Sequence, residues 1–286
     1  MKAVILAGGR GTRFSPLSQV VPKQYLPLAE KPTFRYLVEE AKASGVEEVV
    51  FVNTPGFKEM QDYFSPSDEL KEELDKKNKK ELLRDLQELE QTAEELDFKF
   101  VTQEKPLGNG AALLEAKELL GEKPFAVLFV DDIIRSEAPA LEQLREAFKT
   151  SEKPVVGLKK IEQERSSDYG MISPEKIARG LYKVKDIVEK PSPGEAPSDL
   201  AVMGRFVLTS EVLEYLEELD IEEGEKTIAA GLEKMRKDGK VIYGKEIRGD
   251  WLNCGDKLRY LKANLHQIVN HPQYEEEINN YLNEIR

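Results

Sequence analysis

The stretch LAGGRGTRF, Leu6 to Phe14, puts three glycines, a threonine and two arginines directly behind the apolar run Lys2 to Ala7. On its amino-terminal side, KAVILA reads as a strand. On the other side lie a helical pattern, FRYLVEEAKASG, and then a second apolar run, EEVVFV, so the first ~50 residues have a βαβ rhythm. That alternation predicts a parallel sheet, with the glycines in the turn that leaves its first strand. A glycine-rich turn between strand and helix lets backbone N–H groups cradle phosphate oxygens, because no Cβ blocks the approach. It is not the dinucleotide fingerprint, since Phe14 stands where the third glycine of G-x-G-x-x-G would fall. Nor is it a Walker A loop, for no Lys-Ser or Lys-Thr pair closes it. A mere tight turn would explain Gly8 and Gly9 but not Thr12 and Arg13. Lys23, in the proline-bracketed segment PKQYLPL, supplies a second cation able to neutralise phosphate charge; alone it would read as an ordinary surface lysine.

Farther along, the charged stretch Ser67 to Asp97, with Leu70, Leu74, Leu82, Leu83, Leu86 and Leu89 at helical spacing, predicts two helices broken near KKNKK. It reads as a solvated surface insertion. Then come the strand FKFVTQ, a helix from about Gly110, the strand PFAVLFV, a helix from about Pro139 and the strand PVVGLKK. From YGMISP through LYKVKDIVEKP to AVMGRFVLT, short strands with turns predict a partly antiparallel section. Helices follow from Ser210 and from about Lys226, and the last residues, rich in Leu, Ile, Tyr and Asn, read as a helical tail able to dock on a partner subunit.

The 286 residues allow one large α/β domain or two small ones, and the absence of repeats or low-complexity linkers favours a single domain over 1–286 with lobes. With 54 acidic against 42 basic residues the net charge is −12, which argues against nucleic acid or an anionic membrane as the main partner. The single Cys254 cannot form an internal disulfide. No stretch approaches a ~20-residue span and the opening apolar run is too short for a signal core, so the expected setting is cytoplasmic.

The segment LAGGRGTRFSPLSQVVPKQYLPLAEKP resembles the long G-G-x-G-T-R…P-K signature of the sugar-1-phosphate nucleotidylyltransferases. PFAVLFVDDII, SSDYGMI, IVEKP, APSDLAVMGRFVLT and WLNCGDKL fall in the order and spacing of the bacterial uridylyltransferases of that family, and the insertion Ser67 to Asp97 resembles theirs. The likeness covers roughly residues 1 to 265. It implies a Rossmann-like, doubly wound mixed sheet flanked by helices, with a smaller, partly antiparallel sugar-binding section, that is, a glycosyltransferase-A-like fold. The nucleotide-binding half would be 1–150, the sugar-phosphate half 151–255 and the tail 256–286. The implied reaction joins a sugar 1-phosphate, glucose 1-phosphate first among them, to the α-phosphate of UTP and releases pyrophosphate. Its attacking oxygen is already an anion, so a chain with only two histidines and one cysteine lacks nothing it needs.

The resemblance assigns Ala7, Gly8, Gly9, Gly11, Thr12 and Arg13 to the nucleotide, and Lys23 to the reacting phosphates. Asp131 and Asp132 end an apolar strand, where ligands gather in open α/β sheets. The family pattern aligns Asp131 with the ligand of Mg²⁺ and puts Asp132 on the sugar side. Gln103, with Gly108 nearby, would pair with uracil or thymine, since one amide can accept from N3–H and donate to O4. Gly170, Glu189, Lys190 and Gly204 would take the sugar phosphate. Arg13, Lys23 and Asp131 are the expected catalytic set, and a homodimer or homotetramer is the expected assembly.

Three positions depart from the family's pattern. Asn253 stands where a second metal carboxylate is usual, and it offers a carbonyl oxygen without charge; Asp250, on the opposite face of a strand there, is a poor substitute. In the segment EGEKTIAAGL (223–232) the aspartate of relatives is Ala230, and a histidine usual beside the glycines is Ala111. These leave the nucleotide half intact and open two alternatives: another sugar phosphate or dTTP as substrate, or a nucleotide-sugar-binding protein without turnover.

Overall fold

The computed structural model describes residues 1–55, 59–220 and 225–285, so the first two residues of segment 223–232, and residue 286 of the tail, lie outside the described residues. The βαβ opening is present as β1 (Lys2–Leu6), α1 (Thr33–Ala43) and β4 (Glu48–Asn53). Between β1 and α1 the chain makes the small hairpin of β2 (Pro27–Leu28) and β3 (Lys31–Pro32). The helix read from FRYLVEEAKASG is α1 itself. Before it, Gly11, at φ +58, opens a 3₁₀ turn over Thr12–Phe14. Prolines at 16, 22, 27 and 32 keep a helix from starting sooner, since each lacks the N–H that a continuing helix needs. Helix α1 starts only beyond Pro32, its Phe34, Leu37, Val38 and Ala41 forming one buried stripe.

The charged insertion forms α3 (Asp68–Lys76) and α4 (Lys80–Glu95) after the short α2 (Glu59–Tyr63). Its break falls where KKNKK predicts, at Asn78 with φ +54, and Ser67 caps α3 by accepting from the Leu70 amide. Next come β5 (Asp97–Thr102), α5 (Asn109–Glu115), α6 (Lys117–Leu120), β6 (Phe125–Phe129), β7 (Asp132–Arg135), α7 (Ala140–Ser151) and β8 (Val155–Lys160). The antiparallel stretch is β9 (Gly170–Ala178), β10 (Leu181–Glu189) and β11 (Leu200–Leu208). Then follow α8 (Glu211–Glu217), α9 (Ile228–Lys237), β12 (Tyr243–Glu246), β13 (Asp250–Asn253), α10 (Lys257–Val269) and α11 (Glu275–Glu284).

Among the described residues nine strands form one mixed sheet in the order β5-β4-β1-β6-β11-β8-β12-β10-β9. The first four are parallel, and β11 turns the direction where it meets β6. Strands β7 and β13 make a separate ribbon that puts Asn253 opposite Asp132. Each sheet face is covered: one core joins Ile5 and Phe51 to Phe34, Leu37, Leu141 and Leu144, the other joins Val4 and Val127 to Leu113, Leu120, Leu213 and Leu232. The carboxyl ends of β1, β4, β5 and β6 therefore open onto one edge, and the end of β10 with the middle of β11 close it from the far side. Among the described residues no helix is long and apolar enough to cross a membrane.

Candidate active site

At that edge lies a cleft of about 630 Å³. Gly8, Gly9, Thr12 and Arg13 line it from the first loop, Lys23 from the second, Gln103 and Gly108 from the end of β5, and Asp131 and Asp132 from the turn after β6. Gly170, Glu189, Lys190, Gly204 and Asn253 line the opposite wall. Of the residues expected from the sequence, Ala7 and Gly11 are not in the lining. Ala7 is fully buried, and its amide continues the β1 ladder by donating to the Val52 carbonyl. Gly11 shapes the loop instead, in a left-handed conformation that a side chain would strain.

Lys23 and Asp131 meet, Nζ to Oδ2, at 3.0 Å. Burial pushes the Asp131 carboxyl up, but Lys23, by charge and hydrogen bond, and Arg13 outweigh it and hold the carboxyl below its ordinary value. Asp132 is arranged otherwise. Its Oδ1 accepts from Trp251 Nε1 at 2.8 Å and from Asn253 Nδ2 at 2.7 Å, and its Oδ2 accepts from the Gly204 amide at 2.8 Å. Burial, then the charge on Asp131, push this carboxyl up, against those donors. Gly204 has no room for a side chain, because a Cβ there would lie 2.5 Å from Phe129 and 2.7 Å from Asp132 Oδ2.

Gln103 is buried, and its Nε2 donates to the Gly108 carbonyl at 3.1 Å. Its Oε1 would touch a Cβ on Gly8 at 3.2 Å, so Gly8 is what leaves the amide room at the end of β1. On the far wall, the β9–β10 register sets Glu189 opposite Gly170. Lys190, next to Pro191, sits at φ +47, a costly conformation for a lysine, and its amide donates to the Tyr169 carbonyl at 3.1 Å. Asp250 lies three residues from Asn253, exposed and 3.5 Å from His266, outside the cleft lining. His271 pairs with Glu30, and neither histidine lines the cleft. Burial pushes the Cys254 thiol far up, so it is no nucleophile; its amide donates to the Asp131 carbonyl at 2.6 Å.

The structure adds residues that the sequence did not single out. Arg10, Asp168, Tyr169 and Arg259 also line the cleft. The Arg259 guanidinium pairs with Asp168 and with Asp256, and it sits 5.5 Å from the centre of the Tyr169 ring, which packs 4.7 Å from Trp251. Arg259 is brought here from the first turn of α10, about 90 residues beyond Tyr169, and no local pattern announces it. Among the described residues, no group of three or more His, Cys, Asp or Glu side chains is set to hold a metal on protein ligands alone. Asp131 and the Asn253 carbonyl suit an ion that keeps waters and takes oxygens from substrate phosphates, as Mg²⁺ does.

The family model described as nucleotidyl transferase matches residues 2–269. The chain is 35% identical to a UTP–glucose-1-phosphate uridylyltransferase of Staphylococcus haemolyticus, over 99% of this chain and 98% of that one. It is 36% identical to a UTP–glucose-1-phosphate uridylyltransferase of Streptococcus pyogenes, over 98% of this chain and 93% of that one. Among solved structures, it resembles a UDP-glucose pyrophosphorylase complexed with UDP-glucose at TM-score 0.82 and 32% identity, covering 93% and 97% of the two chains. It also resembles the UTP-bound enzyme of Acinetobacter baumannii at TM-score 0.91 and 29% identity, covering 100% and 99%. With the glycine loop, the Lys23–Asp131 pair and the split cleft all on the edge where nucleotides bind in such sheets, this chain belongs to the nucleotidyl transferase family, among the UTP–glucose-1-phosphate uridylyltransferases.

Proposed function

We propose that the chain joins UTP to glucose 1-phosphate and releases UDP-glucose and pyrophosphate. The observation that carries this reading is the Lys23–Asp131 contact of 3.0 Å, a cation and a metal-type carboxylate side by side at the mouth of a glycine loop. A phosphate oxygen of the sugar ester attacks the α-phosphorus of UTP; one P–O bond forms, the bond to the bridging oxygen of pyrophosphate breaks, and no proton need move first. In this reading the amides of Gly8 and Gly9, with Thr12 and Arg13, hold the triphosphate in a loop that Gly11 shapes, and Gln103 with Gly108 faces the base. Lys23 neutralises charge as it builds on the α-phosphate. Gly170, Glu189 and Lys190 receive the sugar phosphate, while Asp132, its oxygens already engaged, shapes that wall through Gly204. Asp131, with the Asn253 carbonyl, would hold Mg²⁺, whose chemistry is to neutralise phosphate charge and align the triphosphate. The halves 1–150 and 151–255 thus divide nucleotide from sugar, the tail 256–286 serves assembly into a homodimer or homotetramer, and the workplace is the cytoplasm, where nucleoside triphosphates are abundant.

One observation favours a second reading, a nucleotide-sugar-binding protein without turnover: Asn253 brings no charge and spends its Nδ2 on Asp132. Pyrophosphate release separates the two. Purified protein with Mg²⁺, each of four nucleoside triphosphates and a panel of sugar 1-phosphates should release pyrophosphate fastest with UTP and glucose 1-phosphate. Faster release with another sugar or with dTTP would reassign the substrate, and no release with any pair would leave the binding protein.

A further inference from the structure

Strand β11 reads LAVMGRFVL, and inside this apolar run Arg205 is fully buried. A guanidinium in that position needs a counter-charge and acceptors for its donors. Glu40 of α1, its side chain 9% exposed, supplies the charge: Arg205 Nε lies 3.0 and 3.2 Å from its two carboxylate oxygens, and Nη2 lies 2.8 Å from Oε2. Glu40 Oε1 also accepts from the Leu141 amide in the first turn of α7, at 3.0 Å. This pair alone would settle the charge.

The remaining donors go elsewhere. Nη2 donates to the Asp132 carbonyl at 2.7 Å, and Nη1 to the carbonyls of Gly204 at 2.9 Å and Phe129 at 3.4 Å. Phe129 is the last residue of β6 and Asp132 the first of β7, so one rigid fork grips both ends of the turn that carries Asp131. At the ends of strands, main-chain carbonyls that no neighbouring strand satisfies need partners from elsewhere. A planar guanidinium with five fixed donors can serve two of them and a carboxylate together, which an ammonium cannot. The same grip holds Gly204, whose amide fixes the Asp132 carboxylate that Trp251 also reaches.

We propose that Arg205, seated on Glu40, is a positioning residue for nucleotidyl transfer: it sets the backbone of the 129–132 turn so that the Asp131 carboxylate faces Lys23. It touches no substrate, and its role rests on the uridylyltransferase reading. The decisive variant is Arg205→Lys, which keeps the charge beside Glu40 and loses the fork. It should melt cooperatively, keep its KM for UTP within about twofold, and lose kcat by about 10- to 100-fold. A role in stability alone would lower the melting temperature and leave kcat in place. Should Arg205→Lys fail to fold, Glu40→Gln, which frees the guanidinium from its seat, is read in the same way. Folded variant with wild-type kcat overturns the proposal, and so does failure of both variants to fold, since the pair would then serve the fold alone. Trp251, the single tryptophan, donates to Asp132 and reports the turn without turnover. If the wild type is silent with every substrate pair, the uridylyltransferase reading falls by itself. The emission of Trp251 in Arg205→Lys then decides the positioning role: a shifted spectrum supports it and an unchanged one overturns it.

Discussion

At the scale of single residues, the cleft is governed by what each carboxylate faces. Asp131 faces Lys23, and Lys23→Ala should cut kcat by about 10²- to 10³-fold, the cost of losing one preorganised charge, with the melting temperature little changed. Equal turnover in that variant would remove Lys23 from the mechanism. Asp132 faces the amide of Asn253 at 2.7 Å, where a carboxylate would meet it charge to charge. Asn253→Asp is therefore expected to lose about 2 kcal/mol of stability in chelator, because a donor becomes a repelling acceptor, and to regain it with Mg²⁺. The Mg²⁺ concentration for half-maximal rate should fall about tenfold. Thermal melts with and without Mg²⁺, beside a rate titration, check both; an unchanged Mg²⁺ requirement defeats this account of position 253.

At the scale of elements, the site depends on how helices clasp strands. Glu233 of α9 accepts from the Ile187 amide of β10 at 3.2 Å and from Arg236 at 2.8 and 2.6 Å. Burial pushes the Glu233 carboxyl up, but the Arg236 hydrogen bonds and charge and the Ile187 amide pull it further down, below its ordinary value. A carboxyl lowered on folding contributes fully above its unfolded value and loses that contribution as pH falls through the folded one. Glu233→Gln should thus cost about 1 kcal/mol near neutrality. The difference from wild type should hold down to the ordinary glutamate value of 4.5 and close only as the pH falls below it in parallel denaturant melts. A gap that persists in acid would mean the side chain acts by shape. Strand β10 carries Glu189 to the cleft, so the clasp also bears on the wall that Glu189 lines. On the other side, α10 holds the β2–β3 hairpin: Asn264 accepts from the Ala29 amide at 2.8 Å and Tyr260 donates to the Pro27 carbonyl at 2.5 Å.

For the whole molecule, α10 leaves a stripe uncovered. Leu258, Leu261 and Leu265, at helical spacing on one face, are 61%, 60% and 50% exposed, and Tyr281 and Ile285 of the following segment are exposed too. A second copy presenting the same face would bury these leucines around a two-fold axis. Leu261→Glu, with Leu258→Glu if one charge is too few, should halve the mass found by sedimentation while the melt stays cooperative. A wild type that sediments as a monomer would end the proposal that the tail serves assembly.

Much of this molecule was legible in the chain because its signals are local. The βαβ opening, the two helices broken at Asn78 and the antiparallel stretch from Gly170 to Leu208 follow from apolar period and turn chemistry, which act within a few residues. The glycine loop with Lys23 and Asp131 was legible because a long motif fixes residue types at set spacings. The 3₁₀ turn over Thr12–Phe14 was less so, although the prolines that follow it are in plain view. Arg205, inside the apolar run LAVMGRFVL, was not singled out from the sequence, although a charge there needs a partner once it is buried. Nothing nearby said that the partner is Glu40, 165 residues away. Only the tertiary structure decided that pairing, the meeting of Arg259 with Tyr169, and the commitment of Asp132 to Trp251, Asn253 and Gly204. The reason is physical: periodicity and propensity are set by neighbours along the chain, whereas a buried charge or a spent lone pair is satisfied by whatever the packed sheet brings within 3 Å.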